Sequence, residues 1–347
     1  MDGRWSFVLM PRIFGNEGSK RAIYNSIMAR RLPQAIILEG DDGSGRMTFA
    51  REIVAAAVCM REGRDLPCGE CKYCRRIREG ITPDVVIVRR EEKKTQITVD
   101  AVRAMSEQVR NGPCELPMLF FIIEDADTMN HQAQNAWLLT LENPPEDVGF
   151  ILLCENERNL LETVRSRAPT FRMQKFEPAD IVSYLRSHPG MIPDTCSEST
   201  VYECATASGG SIGKCAELCD PQNSSELRQR RESALDAVRC VVLPRGKGTD
   251  KIRTVYKFPD NREDLKAHFR LMSQIMCDLI LLKRDDGAHT SFFTESMRTQ
   301  ALEMSDTCSI AVLLGYIGVL DRACEALSAN ASVKGVRTDC AISLGLM

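Results

Sequence analysis

Five short, mainly apolar runs punctuate the first half of the chain: "QAIILEG" (34–40), "DVVIVRR" (84–90), "MLFFIIED" (118–125), "GFILLCE" (149–155) and "PTFRM" (169–173). The first four do not alternate apolar with polar positions, as a strand with one wet face would, whereas "PTFRM" is shorter and mixed. Continuous apolar character suits strands of a parallel sheet covered on both faces. Residues 45–60, 99–110 and 131–142 carry helical periodicity between the runs. Residues 1–175 therefore predict an α/β domain with crossover connections.

After "FEPAD" (176–180) the strand pattern stops. Residues 180–219 read as short helices broken at "HPGMIPD" and "SGGSIG". From "SSELRQRRESALDAVRCVVL" (224–243) an amphipathic helical pattern runs to the end, with "PRGKGTDKIR" (244–253) and the region of "DDGAHTSF" (285–292) reading as loops. The predicted division is 1–175, 176–221 and 222–347. No stretch approaches the ~18 apolar residues that cross a bilayer. The longest candidate, "IAVLLGYIGVL" (310–320), reads as a buried helix. The apolar patch in "MDGRWSFVLMPR" is too short for a secretory signal, so a cytoplasmic location without membrane contact is expected.

A length of 347 residues favours two or three domains. Net charge is −3, from 45 Lys and Arg against 48 Asp and Glu, so no bulk basic field draws the chain to DNA. Any nucleic-acid contact would be local or made through a partner. Fifteen cysteines in a long chain without an export signal do not form a disulfide framework. Most sit in apolar stretches, as Cys240, Cys277 and Cys324 do, and read as buried thiols.

One group is not scattered. "CMREGRDLPCGECKYC" sets Cys59, Cys68, Cys71 and Cys74 in a C-x8-C-x2-C-x2-C array. Thiols at such intervals can converge on tetrahedral zinc, and four of them close the site, which makes it structural. A redox pair or unliganded thiols are the alternatives.

The stretch after the first strand has the frame of a phosphate-binding loop: Gly40-Asp41-Asp42-Gly43-Ser44-Gly45-Arg46-Met47, leading into a helix. Arg46 holds the lysine position with a wide planar cation in place of a compact one. Met47 holds the hydroxyl position and cannot ligate magnesium, which prefers oxygen. Thr48 is one residue late, about 100° around the helix. Asp41 and Asp42 add negative charge where phosphate would sit. A turn kept for packing, nucleotide binding without turnover and a hydrolysing site are the three readings. Glu124 and Asp125 end the third strand as an acid pair in the reverse of the order a motor uses, or as surface carboxylates.

Three further stretches give these features a context. "NAWLLTLENPPEDVGFILLCENERNLLETVRSRAPTF" (135–171) resembles the segment that runs to the Ser-Arg-Cys motif of bacterial clamp-loader ATPases. "GITPDVVIV" (80–88) with "ITVDAVRAM" (97–105), and "FGNEGSKRAIYNSIMARRLPQAIILEG" (14–40), resemble the parts of the same family that follow the zinc module and open the domain. The resemblance is continuous over roughly 1–220. Within the DNA polymerase III clamp-loader family it is to the delta-prime branch rather than to the nucleotide-hydrolysing tau/gamma branch.

The resemblance implies an AAA+ P-loop-type α/β domain with a parallel sheet and an inserted zinc module (59–74), a small helical lid and an all-α collar. It also implies where the family's motifs fall. Cys154-Glu155 stands where a motor has small hydroxylated residues facing the γ-phosphate, and in "GSIGK" (210–214) Gly213 replaces an arginine, with Lys214 beside it. These departures imply that the chain does not itself hydrolyse ATP. "RSRAP" keeps Ser166 and Arg167, with Ala168 for the usual cysteine, which implies that Arg167 is an arginine finger for a neighbouring subunit; Arg165 is the rival. Implied partners are tau/gamma and delta subunits in a hetero-oligomer and, through it, the sliding clamp and primed DNA. An ATP-hydrolysing tau/gamma-type clamp-loader subunit or related AAA+ ATPase, and a stand-alone zinc-dependent nucleic-acid-binding protein, are the alternatives.

Overall fold

The computed structural model describes residues 10–61, 65–91, 94, 96–243, 248–285, 290, 292–293, 297–329 and 331–346. The chain forms two compact units, residues 1–184 with 210–214, and residues 185–209 with 215–347.

The first unit is built on strands β1 (Ala35–Glu39), β2 (Val85–Val88), β3 (Leu119–Ile123), β4 (Val148–Cys154) and β5 (Thr170–Arg172). They form one parallel sheet in the order β2-β3-β4-β1-β5. In register, Ile37 of β1 faces Leu152 of β4 and Thr170 of β5, while Ile122 of β3 faces Ile151. The apolar runs thus delimit all five strands closely. β3 and β4 are buried along their whole length, as their uninterrupted hydrophobicity requires.

Parallel neighbours need crossovers. Helix α1 (Glu17–Met28) precedes β1; α2 (Arg46–Ala57) and α3 (Lys72–Glu79) lie before β2, α4 (Val99–Asn111) before β3, α5 (His131–Glu142) before β4 and the short α6 (Glu162–Arg165) before β5. One face of the sheet packs Ile36, Leu38, Phe120 and Ile151 with Phe49, Ile53 and Val54 of α2. The other packs Ile37, Phe121, Phe150 and Leu152 with Trp137 of α5 and Val102 of α4. Gly149 lets the Phe120 ring lie on the sheet, since a Cβ there would meet the ring at 2.5 Å.

Asp84, buried at the start of β2, accepts hydrogen bonds from the N–H groups of Cys114, Glu115 and Leu116 at 2.7, 2.6 and 2.6 Å. It fixes the loop that leads into β3.

The remaining elements are α7 (Pro178–Ser187), α8 (Glu198–Ala207), α9 (Ile212–Leu218), α10 (Pro221–Val242), α11 (Gly248–Tyr256), α12 (Arg262–Arg284), α13 (Arg298–Thr307), α14 (Ile310–Ser328) and α15 (Val333–Ser343). The core of the second unit is centred on α12, whose Leu265, Phe269, Met272, Ile275, Met276 and Leu279 are fully buried.

Three expectations need correction. Of the thiols read as buried, Cys277 is exposed and Cys240 and Cys324 are only partly buried. The stretch 244–253, read as a loop, contains the start of α11, a helix anchored in the core by Val255. The segment 310–320, read as a buried helix, is buried on one face only: Leu313 and Leu320 are inside, while Val312 and Leu314 are exposed. Most of the loop expected at 285–292 lies outside the described residues, as does most of the first stretch of the chain. Among the described residues no helix is long and apolar enough to cross a membrane.

Candidate functional site

In open parallel sheets ligands bind beyond the carboxyl ends of the strands. Here β1 delivers Gly40 to that edge, where its N–H donates to the Cys154 carbonyl of β4 at 3.0 Å. Gly43 and Gly45 adopt φ values of +70° and +90°, conformations that other residues enter at a cost. The frame of a phosphate loop is therefore present, followed by the N-terminus of α2.

The loop's own groups occupy that frame. The Gly43 N–H donates to Asp42 Oδ1 at 2.9 Å and the Ser44 N–H to the Asp41 carbonyl at 3.1 Å. Residues 210–214 close over it. The Gly213 N–H donates to the Gly43 carbonyl at 2.9 Å, and Ser211 Oγ donates to the Asp42 carbonyl at 2.9 Å. A Cβ on Gly43 would lie 2.4 Å from the Lys214 nitrogen, and one on Gly40 would lie 2.7 Å from Met173 Cβ. Asp41 is held by Lys175 at 2.6 Å.

Arg46 is nine-tenths buried, and its Nη1, like Ser44 Oγ, has no hydrogen-bond partner among the described residues. Its charge reaches the buried Cys154 thiol, whose pKa is pushed up to about 12 by burial first and by Asp127 and Glu39 next, with Arg46 opposing them. Met47 packs against the apolar core beneath the loop, and Thr48 is exposed. No hydroxyl therefore stands at Met47, the position where magnesium would be held.

Glu124 and Asp125 do not turn toward the loop as free acids. Arg89 Nε lies 2.5 Å from Glu124, and Arg90 Nη2 lies 2.9 Å from Asp125. Glu155 is exposed, and its N–H donates to the Asp127 carboxylate at 3.2 Å.

Ser166 and Arg167 lie just after α6, and both are exposed. Ser166 Oγ donates to the Thr163 carbonyl at 3.1 Å. Arg167 Nη2 lies 2.9 Å from Glu142, while Nη1 donates to the Thr163 carbonyl at 2.8 Å and reaches Ser166 Oγ at 3.5 Å. Arg165 is half-buried, with an Nε that lacks a partner among the described residues, and Ala168 is buried.

The second constellation stands where α2 ends and α3 begins. The Sγ atoms of Cys59, Cys68, Cys71 and Cys74 all lie within 4.8 Å of one another, with Cys68 and Cys74 at 3.9 Å. Sulfurs at the corners of a tetrahedron with metal bonds of about 2.3 Å stand about 3.8 Å apart, so the donor set fits one metal ion. The backbone supports the sulfurs: Cys68 N–H points to Cys59 Sγ at 3.5 Å, Cys71 N–H to Cys68 Sγ at 3.4 Å and Cys74 N–H to Cys71 Sγ at 3.5 Å. Cys71 is also the N-cap of α3. Burial raises the Cys68 thiol, but the N–H groups of Cys71 and Glu70 and the neighbouring thiols outweigh it, and its pKa falls to about 6. Cys71 is lowered in the same way against burial, whereas burial pushes Cys59 and Cys74 up. Neutral buried thiols are costly to ionise, and a cation among them reverses that cost.

Sequence reasoning missed Ser211, Met173, Arg89, Arg90 and Glu142. The two arginines directly follow a strand and were visible as a pair; the others act across the fold and have no local signature.

The first unit is thus a parallel α/β domain with a phosphate-loop frame beside the end of β4 and a four-cysteine centre between its second and third helices, with helical elements following. Residues 15–177 match the family described as DNA polymerase III, delta subunit. Over this segment the chain is similar to the DNA polymerase III clamp-loader family.

Among relatives, DNA polymerase III subunit delta' of Bacillus subtilis is 32% identical over 176 residues, 50% of each chain. DNA polymerase III subunit gamma of Buchnera aphidicola is 26% identical over 183 residues, 53% of this chain and 50% of that one. The tau subunit of Bacillus subtilis is 25% identical over 208 residues, 60% of this chain and 36% of that one. The chain thus spans half or less of the length of these relatives. A solved gamma subunit-related protein of Thermotoga maritima aligns with 95% of this chain and 98% of its own at 17% identity and a TM-score of 0.45.

Proposed function

We propose that the chain is a delta-prime-like, non-hydrolysing subunit of a bacterial DNA polymerase III clamp loader, working in the cytoplasm with tau/gamma and delta subunits to place the sliding clamp on primed DNA. The observation that carries this reading is the closed phosphate loop. Amide donors that a nucleotide would need are spent on Asp41 and Asp42, and Ser211 and Gly213 bond to the loop's carbonyls. A hydroxyl ligand for magnesium is replaced by Met47. The degenerate acid pair, Glu124 and Asp125, faces arginines.

In this reading the chain's chemistry is delivered in trans. Arg167, with Ser166 beside it, meets the charge that develops on a phosphoryl group held by the neighbouring subunit. Cys59, Cys68, Cys71 and Cys74 hold a structural zinc ion that stiffens the α2–α3 segment. Residues 176–221 form a lid and residues 222–347 a collar for assembly.

A tau/gamma-type ATPase is the second reading, favoured by gamma and tau relatives that align over 53% and 60% of the chain. Calorimetry of ATP with the purified chain, with and without Mg²⁺, separates the two. No detectable heat of binding is expected; tight, Mg²⁺-dependent binding would overturn the first reading in favour of the second.

A further inference from the structure

Glu142 is the last residue of α5, and no basic residue lies in that helix's final turn. A carboxylate there faces the negative end of the helix dipole, an unfavourable place for an acid. What offsets it is Arg167, 25 residues on, whose Nη2 it holds at 2.9 Å. The Thr163 carbonyl of α6 holds Nη1 at 2.8 Å. The guanidinium is thus gripped at two corners by two different helices, which fixes both its position and its plane.

The pair is exposed on both sides, with side-chain accessibilities of 36% for Arg167 and 46% for Glu142. Solvent-screened pairs of this kind contribute little to stability. Its value is geometric. An arginine side chain has many rotamers, and one already held loses less freedom when it meets an anion. Glu142, Thr163 and Ser166 engage three N–H donors, leaving two of the five for an incoming oxygen.

We infer that Glu142 is a positioning residue that holds the Arg167 guanidinium ready for the neighbouring subunit's nucleotide. This rests on the trans-arginine reading above.

The test is a double-mutant cycle in the complex reconstituted with its ATP-hydrolysing subunits, using Glu142→Gln, Arg167→Ala and both together, with kcat, KM and melting temperature measured for each. Arg167→Ala is expected to lower kcat about tenfold or more. Glu142→Gln is expected to lower it about threefold to tenfold at unchanged KM, because the contact matters only as charge develops. The melting temperature of Glu142→Gln is expected to stay level or rise, since a charge opposed to the helix dipole is removed. In the Arg167→Ala background Glu142→Gln is expected to change nothing, and Glu142→Asp alone is expected to recover part of the rate.

A purely structural role for Glu142 would lower the melting temperature and add to Arg167→Ala, and that outcome overturns the inference. If Arg167→Ala lowers the rate and Glu142→Gln does not, Glu142 alone loses its role. If Arg167→Ala leaves the rate unchanged, the trans-arginine reading itself falls.

Discussion

The phosphate loop and the cysteine centre sit at opposite ends of the same helix, α2, and each is marked in the sequence by a spacing of residues. Their interiors differ. At the cysteine centre four side chains converge on one point, and the nearby amides face the sulfurs, so the arrangement fits one metal ion. At the loop the amides face the chain's own carboxylate and carbonyl, and the outer side is covered by Ser211 and Gly213. A motif's residue spacing shows that a ligand site can form; where its donors point shows whether room for the ligand remains.

The comparison can be broken most forcefully at the cysteines. Roughly one zinc per chain is expected by metal analysis, and Cys71→Ser or a strong chelator should unfold the 59–80 segment, because metal binding in such modules supplies on the order of 10 kcal/mol. Circular dichroism and limited proteolysis would follow the loss. Metal-free protein that melts like the untreated chain would remove the structural metal.

A smaller effect is expected at the loop. Gly43→Ala forces a side chain into the left-handed region and against the Lys214 nitrogen at 2.4 Å. A loss of about 2–3 kcal/mol in denaturant stability is expected. A neutral result would mean that residues 210–214 stand off the loop in solution.

The smallest effect is the most informative. Arg46→Lys with Met47→Thr restores the residue types of a working loop but leaves its amides and outer face occupied. Mg²⁺-ATP affinity measured by calorimetry is expected to change by less than about tenfold, under ~1.4 kcal/mol. Tight binding by this double variant would show that the two side chains, and not the closed frame, silence the site.

Much of this was legible in the chain. The β3 and β4 runs are apolar throughout because both faces of the sheet are covered, and that is a property of composition over a few residues. The cysteine array was legible for a similar reason: four ligands with short spacings can only meet nearby. What stayed hidden depends on contacts between distant positions. Ser211 bonds to the Asp42 carbonyl across 169 positions, and Glu142 reaches Arg167 across 25. The pairing of Glu124 and Asp125 with Arg89 and Arg90 needed the register of β2 against β3, which hydrophobicity leaves open. The onset of α11 was hidden by glycines around 246–248, which read as breakers although Val255 anchors the helix in the core.

Asp84 places these sites in a different light. Three successive amides, those of Cys114, Glu115 and Leu116, gather around its buried carboxylate, as a string of amides gathers around phosphate in an anion-binding loop. Here the anion is tethered to the host. Its local concentration is set by the covalent chain and does not vary with the metabolic state of the cell. A cup whose guest cannot leave cannot act as a sensor, and it reports nothing. It can only hold, and what it holds is the loop that leads into β3.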